Sequence, residues 1–216
     1  GRDVKVVGLV GQKRSGKDTV AEVFESLGWY RTSFAKALYR EVSEAFGISV
    51  SELQDHDTKE VPWLDLSTCK DLEFLELAKA LSRVYVLDNS DTLGIQSEDL
   101  KSFKLSPRRV LQWWGTEYRR KDDTFYWVRK LSQELAEHKP KHVVISDIRE
   151  LHEAAYVKRT EGHLLKVIRP GLAEDATSSH SSEKNLEHIS VDGKIFNSST
   201  IEHLRNDIIE MEKHLK

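Results

Sequence analysis

The sequence lacks several features that define whole classes of protein. It has one cysteine, Cys69, in 216 residues, so no internal disulfide can form and a reducing compartment is expected. No apolar run approaches the roughly 20 residues that cross a bilayer, which excludes a membrane-spanning helix. No HExxH pattern or Cys/His cluster predicts a zinc site. No secretory signal opens the chain, and we expect a cytoplasmic protein.

Strong charge of one sign is also absent. The chain has 33 Lys+Arg against 36 Asp+Glu, a net charge of -3. This balance argues against general coating of nucleic acid, but it is compatible with a local basic pocket. Hydrophobic residues make up 38% and charged residues 32% of the chain, which indicates a folded globular protein. The length predicts one domain, or one domain with a lobe, over residues 1–216.

Strands and helices alternate along the chain, which predicts an α/β fold with a mostly parallel sheet of about five strands flanked by helices. The strands are expected at 4–10, 29–34, 142–145, 163–168 and near 194–197. The helices are expected at 18–27, 36–46, 72–87, 107 to about 118, 123 to about 138, 151–160 and 200–215. We interpret about 49–138 as a helical insertion, and about 169–187 as a polar lid loop.

The segment with the clearest chemistry follows the first predicted strand. It matches G-x-x-x-x-G-K, the phosphate-binding loop that joins a buried strand to a helix. Glycines let backbone N–H groups face a phosphate, and the helix N-terminus adds partial positive charge. Lys17 would reach the β- and γ-phosphates, with Lys13 and Arg14 at the tip. The candidate nucleotide-binding residues are Gly11, Gln12, Lys13, Arg14, Ser15, Gly16, Lys17, Asp18 and Thr19.

Asp18 stands where this loop usually has Ser or Thr, and Thr19 follows it. The carboxylate can hold Mg²⁺ through water, or it can serve as an acid favoured by the helix dipole. Thr19 can supply the hydroxyl instead. Both residues therefore stay candidates for the metal.

A second candidate segment ends the strand at 142–145. Asp147 lies where doubly wound sheets bind ligands, and an acid there can orient a metal ion. Arg149, two residues on, suggests a phosphate clamp. The alternative is an Asp helix cap followed by an exposed Arg.

A third segment, at 107–120, combines arginines with tryptophans. Arg109 and Gln112 share a helix face, and they can hold a phosphate and a base edge. Trp113 or Trp114 can stack on a base. The alternative is a core Trp with solvated arginines.

A fourth segment begins at Arg169 and continues through the polar lid loop, which contains His180, Ser182 and Glu183. Such a loop can close over a nucleotide and exclude water. A loop that is hydrogen-bonded to a helix N-terminus explains the same residues equally well.

In this order, the segments resemble the phage-type deoxynucleoside monophosphate kinase family, which is similar to phosphomevalonate kinase in its Ser-Gly-Lys-Asp loop and Asp-x-Arg strand end. The matching pieces are GQKRSGKDT (11–19), SFAKAL (33–38), PRRVLQWWGTEYRR (107–120), SDIRE (146–150), VIRPG (167–171) and HSSE (180–183). The stretch 61–105 matches no part of the family pattern.

The resemblance implies a P-loop kinase that uses ATP and Mg²⁺ to phosphorylate a deoxynucleoside 5′-monophosphate. Residues 11–19 and Arg169 would bind ATP, and Asp18, Thr19 or Asp147 would handle the metal, or Asp147 would orient the acceptor. Lys17 would stabilise the transferring phosphoryl group. Arg149, with Arg119 or Arg120, would offset charge between donor and acceptor. The acceptor would be bound by Lys36, Arg109, Gln112, Trp113, His180, Ser182 and Glu183. A homodimer is implied, in the host cytoplasm if the protein is phage-encoded.

Other functions are compatible with parts of the pattern. A kinase of this family that acts on 5-hydroxymethyluracil within DNA would need a long basic groove, and its DNA binding would depend on salt. A small-metabolite kinase and a non-catalytic nucleotide-binding module are further alternatives. The absence of an Asn-Lys-x-Asp motif argues against a GTPase.

Overall fold

A computed structural model describes residues 4–85, 92–93, 103–172 and 186–215. Its strands are β1 (Lys5–Val10), β2 (Tyr30–Thr32), β3 (Leu64–Asp65), β4 (Thr92–Leu93), β5 (Lys104–Leu105), β6 (His142–Ile148), β7 (His163–Ile168) and β8 (Gly193–Phe196). Its helices are α1 (Lys17–Ser26), α2 (Ala35–Phe46), α3 (Val50–Gln54), α4 (Leu72–Tyr85), α5 (Pro107–Gln112), a π-helix (Trp113–Arg120), α6 (Tyr126–His138), α7 (Leu151–Arg159) and α8 (Ile201–Glu212).

The chain forms two compact units. The first comprises Gly1–Phe34 with Val128–Lys216, and the second comprises Ala35–Trp127. The predicted limits of the insertion, about 49–138, and the single-domain assignment stay predictions. Within the described ranges, no helix is both long and apolar enough to cross a membrane.

The first unit contains a five-stranded sheet in the order β2-β6-β1-β7-β8. Every neighbouring pair is parallel, which confirms the predicted α/β class. Central β1 is an almost fully buried apolar run, as expected for a parallel strand covered on both faces. Because the strands are parallel, the residues that follow them meet at one edge, where sheets of this kind bind ligands.

The core of the first unit packs helices against this sheet. Phe24 and Trp29 meet edge to face at 5.0 Å between ring centroids, and they are buried with Val7, Leu204 and Ile208. Helix α1 is thereby anchored directly after the loop at 11–16. Gly16 is the N-cap residue of α1, and its left-handed conformation separates the loop from the helix.

The second unit contains strands where the sequence predicted only helices and loops. It contains a small antiparallel sheet in the order β3-β5-β4, in which Leu64 pairs with Leu105. Strands this short present too few alternating residues to be recognised from periodicity. The helix predicted from 107 to about 118 is also divided, since α5 ends at Gln112 and the π-helix takes over.

Candidate phosphate-binding site

The loop between β1 and α1 is shaped by two glycines. Gly16 has φ 94°, in the left-handed region that favours glycine. A Cβ on Gly11 would lie 2.8 Å from the Val167 carbonyl oxygen and 2.7 Å from Ser15 Oγ. The loop therefore turns tightly against β7, and it leads directly into the N-terminus of α1.

Lys17 lies back across this loop. Its Nζ donates a hydrogen bond to the Gly11 carbonyl oxygen at 2.9 Å. Lys13 and Arg14 are exposed at the tip, and Arg169, which follows β7, donates to the Arg14 carbonyl oxygen at 3.4 Å. The structure thus brings four of the predicted cations to one loop.

The loop has the properties of an anion site. The N-terminal N–H groups of α1 have no helical acceptors of their own, and the helix dipole favours negative charge there. Ser15 is buried, with 1% of the residue exposed. Among the described residues, its hydroxyl oxygen has no hydrogen-bond partner. These features fit the phosphates of a nucleotide.

The metal candidates differ in their surroundings. Asp18 is largely exposed, with its carboxylate 3.2 Å from the Arg31 guanidinium, which favours a surface ion pair. Asp147 accepts a hydrogen bond from the Phe34 N–H at 2.8 Å. In the described part of the chain, no group of three His, Cys, Asp or Glu side chains forms a metal cluster. The hydroxyl of Thr19 and the carboxylate of Asp147 are the oxygen donor types that Mg²⁺ prefers.

Asp147 has an acidic neighbour that the sequence did not single out. The Glu153 carboxylate accepts hydrogen bonds from the Arg149 N–H at 2.8 Å and the Glu150 N–H at 2.9 Å. Burial, followed by the negative charge of Asp147, raises the pKa of Glu153 to about 8. Arg149 itself is exposed. Its backbone is thus fixed by Glu153 while its side chain faces solvent.

Asn197 is a second residue that sequence reasoning missed. Its side-chain Nδ2 donates to the Ser15 carbonyl oxygen at 3.1 Å. It follows β8 directly, so a polar side chain at the carboxyl end of a predicted parallel strand was the signal that could have identified it.

The predicted acceptor residues that the structure describes lie in the second unit. Lys36 is exposed in the first turn of α2. Ser106 caps α5 by accepting from the Arg109 N–H at 3.1 Å, and the Arg109 guanidinium lies 5.8 Å from the centroid of the Trp113 ring. Gln112, at the end of α5, is partly exposed.

The tryptophans of the third segment are buried. Trp113 is 2% and Trp114 is 1% exposed. In this structure neither ring presents a face to solvent, which favours a core role over base stacking. The Trp114 Nε1 instead donates to Glu41 at 2.9 Å.

Arg119 is enclosed by one carboxylate and several aromatic rings. Its Nε donates to the Glu41 Oε1 at 2.8 Å, and its guanidinium lies 4.5 Å from the Tyr118 ring centroid and 5.1 Å from that of Tyr126. Tyr126 also donates to Glu41, at 2.5 Å. Arg119 therefore joins the π-helix to α2 and α6, and this setting favours a structural role.

Arg120 has different surroundings. Its Nε is buried, and so is the Glu117 Oε2, yet within the described ranges neither atom has a hydrogen-bond partner. Burial raises the pKa of Glu117, whose side chain lines a cavity of about 380 Å³ with Leu77 and Leu81. Arg120 therefore differs from Arg119, whose Nε donates to Glu41.

Three predicted residues, His180, Ser182 and Glu183, lie outside the described residues. The predicted lid is described only at its two ends. The role of the lid and the roles of these three residues stay predictions.

Comparison with known proteins identifies the family of this chain. The chain is 30% identical over 219 residues to a protein of Acanthamoeba polyphaga mimivirus named as a deoxynucleotide monophosphate kinase, with 94% of each chain covered. The family model "Deoxynucleotide monophosphate kinase" matches residues 79–208. The chain belongs to this family. It is also 28% identical over 213 residues to the deoxynucleoside-5′-monophosphate kinase of Escherichia phage T5, with 84% of each chain covered.

Among solved structures, a dephospho-CoA kinase from Campylobacter jejuni aligns with 99% of this chain and 98% of its own at 14% identity and a TM-score of 0.48. The fold of this deoxynucleotide monophosphate kinase family member is established by its own parallel sheet.

The surroundings of Arg119 predict a loss of stability when it is truncated. Arg119→Ala removes the Glu41 ion pair and the contacts with aromatic rings, which we expect to lower the free energy of unfolding by about 2 kcal/mol. Arg119→Lys should recover part of the loss, because it keeps the charge but not the planar group. Chemical denaturation measures both, with exposed Arg40→Ala as a control within about 0.5 kcal/mol of wild type. Equal stability of Arg119→Ala and Arg40→Ala would contradict the structural role.

The Glu153 carboxyl group predicts a pH dependence of stability. Its pKa is higher in the folded protein than its ordinary value of 4.5, so the protonated group favours folding, and the advantage is lost as pH rises through about 8. Glu153→Gln cannot ionise. It should therefore gain stability relative to wild type between pH 5 and pH 9, measured as melting temperature at each pH. Exposed Glu137→Gln is the control, and a difference for Glu153→Gln that does not change with pH would rule out the coupling.

Proposed function

We propose that this protein transfers the γ-phosphoryl group of ATP to a deoxynucleoside 5′-monophosphate, giving the diphosphate and ADP. An oxygen of the acceptor phosphate forms a bond to the γ-phosphorus, and the bond from that phosphorus to the β,γ-bridging oxygen breaks. The observation that carries the proposal is the loop at 11–17, in which a left-handed Gly16 starts a helix and Lys17 spans the turn. Family membership supports the choice of acceptor.

The donor side of this proposal uses residues of the first unit. Lys17 would exchange its hydrogen bond to Gly11 for the β- and γ-phosphates. The N–H groups at the start of α1 would bind the same phosphates, while Lys13, Arg14 and Arg169 supply positive charge at the tip. Such a site acts by positioning and charge neutralisation rather than by covalent chemistry.

Mg²⁺ fits the oxygen donors at this edge of the sheet. Thr19 and Asp147 would hold it, since Asp18 is paired with Arg31. When bound, the ion neutralises the charge on the β- and γ-phosphates. Asp147 would also need a fixed direction, which its hydrogen bond from the Phe34 N–H provides.

The acceptor side of this proposal uses the residues that the family resemblance implies. Arg109 would bind the acceptor phosphate through paired hydrogen bonds, Gln112 would contact the base, and Lys36 would add charge. Arg149 and Arg120 would offset the negative charge of the two phosphate groups, whereas Arg119 is engaged with Glu41.

The alternative acceptor, a modified base within DNA, is not favoured. Both named relatives are deoxynucleotide or deoxynucleoside monophosphate kinases. The homodimer stays a prediction.

The proposal is tested by an acceptor panel. Radiolabelled ATP is offered with each of the four dNMPs, the NMPs, and DNA with and without 5-hydroxymethyluracil. We expect label in one or more deoxynucleoside diphosphates. Lys17→Ala should lower the rate by at least about 10²- to 10³-fold, with a melting temperature near that of wild type. Full activity of Lys17→Ala would contradict the assignment of the loop to ATP binding. Label found only in DNA would show that the acceptor is the modified base and not a free deoxynucleotide.

Arg109→Ala separates the acceptor side from the donor side. Loss of a charge-assisted, bidentate contact to phosphate should raise the KM for the dNMP about 10- to 100-fold, with the KM for ATP changed far less. Steady-state kinetics with each substrate varied in turn measure this ratio. An increase confined to the KM for ATP would move Arg109 to the donor side.

A further inference from the structure

The phosphate-binding loop is held from the last strand of the sheet. Asn197 follows β8, and its backbone N–H donates to the Ile168 carbonyl oxygen at 2.7 Å, which fixes it to the end of β7. From this position its side-chain Nδ2 donates to the Ser15 carbonyl oxygen at 3.1 Å. One residue thus connects the ends of β7 and β8 to the loop that follows β1.

The same side chain lies against Gly16. A Cβ built on Gly16 would lie 2.1 Å from Asn197 Nδ2, so the amide group occupies the space that any other residue at position 16 would need. Gly16 is therefore required for two separate reasons, its φ of 94° and this close approach. Both contacts of Asn197 fall on one peptide group, that between Ser15 and Gly16.

We propose that Asn197 is a positioning residue of the phosphate-binding loop, which aims the Gly16 N–H by holding the Ser15 carbonyl group. In a trans peptide the C=O and the N–H point in opposite directions. With the Ser15 oxygen held by Asn197, the Gly16 N–H points away from β8, toward the place of the donor phosphates. This inference rests on the proposed function, because it takes the loop as the donor phosphate site.

A peptide group next to glycine needs such a restraint. Glycine adopts left-handed and right-handed backbone conformations with similar ease, so the Ser15–Gly16 peptide has more than one accessible orientation when nothing holds it. Without Asn197, the loop would have to be ordered when the nucleotide binds, and that ordering lowers affinity. The effect of Asn197 should therefore appear in donor binding rather than in acceptor binding.

The test measures ADP binding directly by titration calorimetry, and the KM values of both substrates by kinetics. Asn197→Ala should weaken ADP binding and raise the KM for ATP about five- to tenfold, the loss typical of one hydrogen bond. The KM for the dNMP should change by less than about twofold. Asn197→Asp, which keeps the side-chain shape but turns an oxygen toward the Ser15 carbonyl, should lose more. Exposed Asn206→Ala, on α8, is the matched control and should behave as wild type.

A double-mutant cycle tests the contact with Gly16. Gly16→Ala alone should be severely impaired in ADP binding, because it combines the backbone strain with the collision against Asn197. In an Asn197→Ala background the collision is gone, so Gly16→Ala should cost at least about fivefold less there than in wild type. Coupling of this kind is expected only for residues in contact. A merely structural role would lower the melting temperature without producing it.

The outcomes separate this inference from the proposed function. ADP binding needs no acceptor, so failure of the acceptor panel would overturn the proposed reaction while the calorimetric comparison still decides the role of Asn197. Weaker ADP binding with a nearly unchanged KM for the dNMP supports the inference. Unchanged ADP affinity in both Asn197 variants, an equal rise in both KM values, or strictly additive effects of Gly16→Ala and Asn197→Ala would each overturn it.

Discussion

The donor site depends on the peptide group between Ser15 and Gly16. Buried β1 delivers the chain to the edge of the sheet, and α1 has to begin at Lys17 for its N-terminus to face that edge. This sharp change of direction requires the left-handed conformation of Gly16. Asn197 holds the peptide from the end of β8. The conformation of the loop after β1 therefore depends on β8, a strand that is distant in sequence.

The location of charge matters more than its total. The net charge of -3 does not indicate the local charge at the phosphate-binding loop. The sheet edge there gathers four cations, Lys13, Arg14, Lys17 and Arg169. The acidic residue closest in sequence, Asp18, is paired with Arg31. Exposed pairs of that kind add little stability.

The parts of the fold that follow from local pattern could be predicted from the sequence. β1, the glycine loop and α1 are recognisable because a buried strand and an amphipathic helix each repeat their signal over several residues. The sheet of β3, β5 and β4 is not, because two-residue strands carry no period. Glu153 was missed for another reason, since its raised pKa arises from burial and from Asp147, and neither is visible in the segment around it. Asn197 lay at a predicted strand end, but its partner, the Ser15 carbonyl, lies far away in sequence.

The adjacent arginines of the π-helix show most directly why partners that are distant in sequence cannot be predicted from local pattern. In the sequence Arg119 and Arg120 are equivalent, two cations after a Gly-Thr-Glu-Tyr segment. In the structure Arg119 is engaged with Glu41, which lies on α2, and with the Tyr118 and Tyr126 rings. Successive residues of a helix face different directions, so when one side chain turns toward such a cluster, its neighbour cannot. The chemical difference between the two residues therefore originates in the position of Glu41, and a partner so distant along the chain becomes identifiable only once the chain is folded.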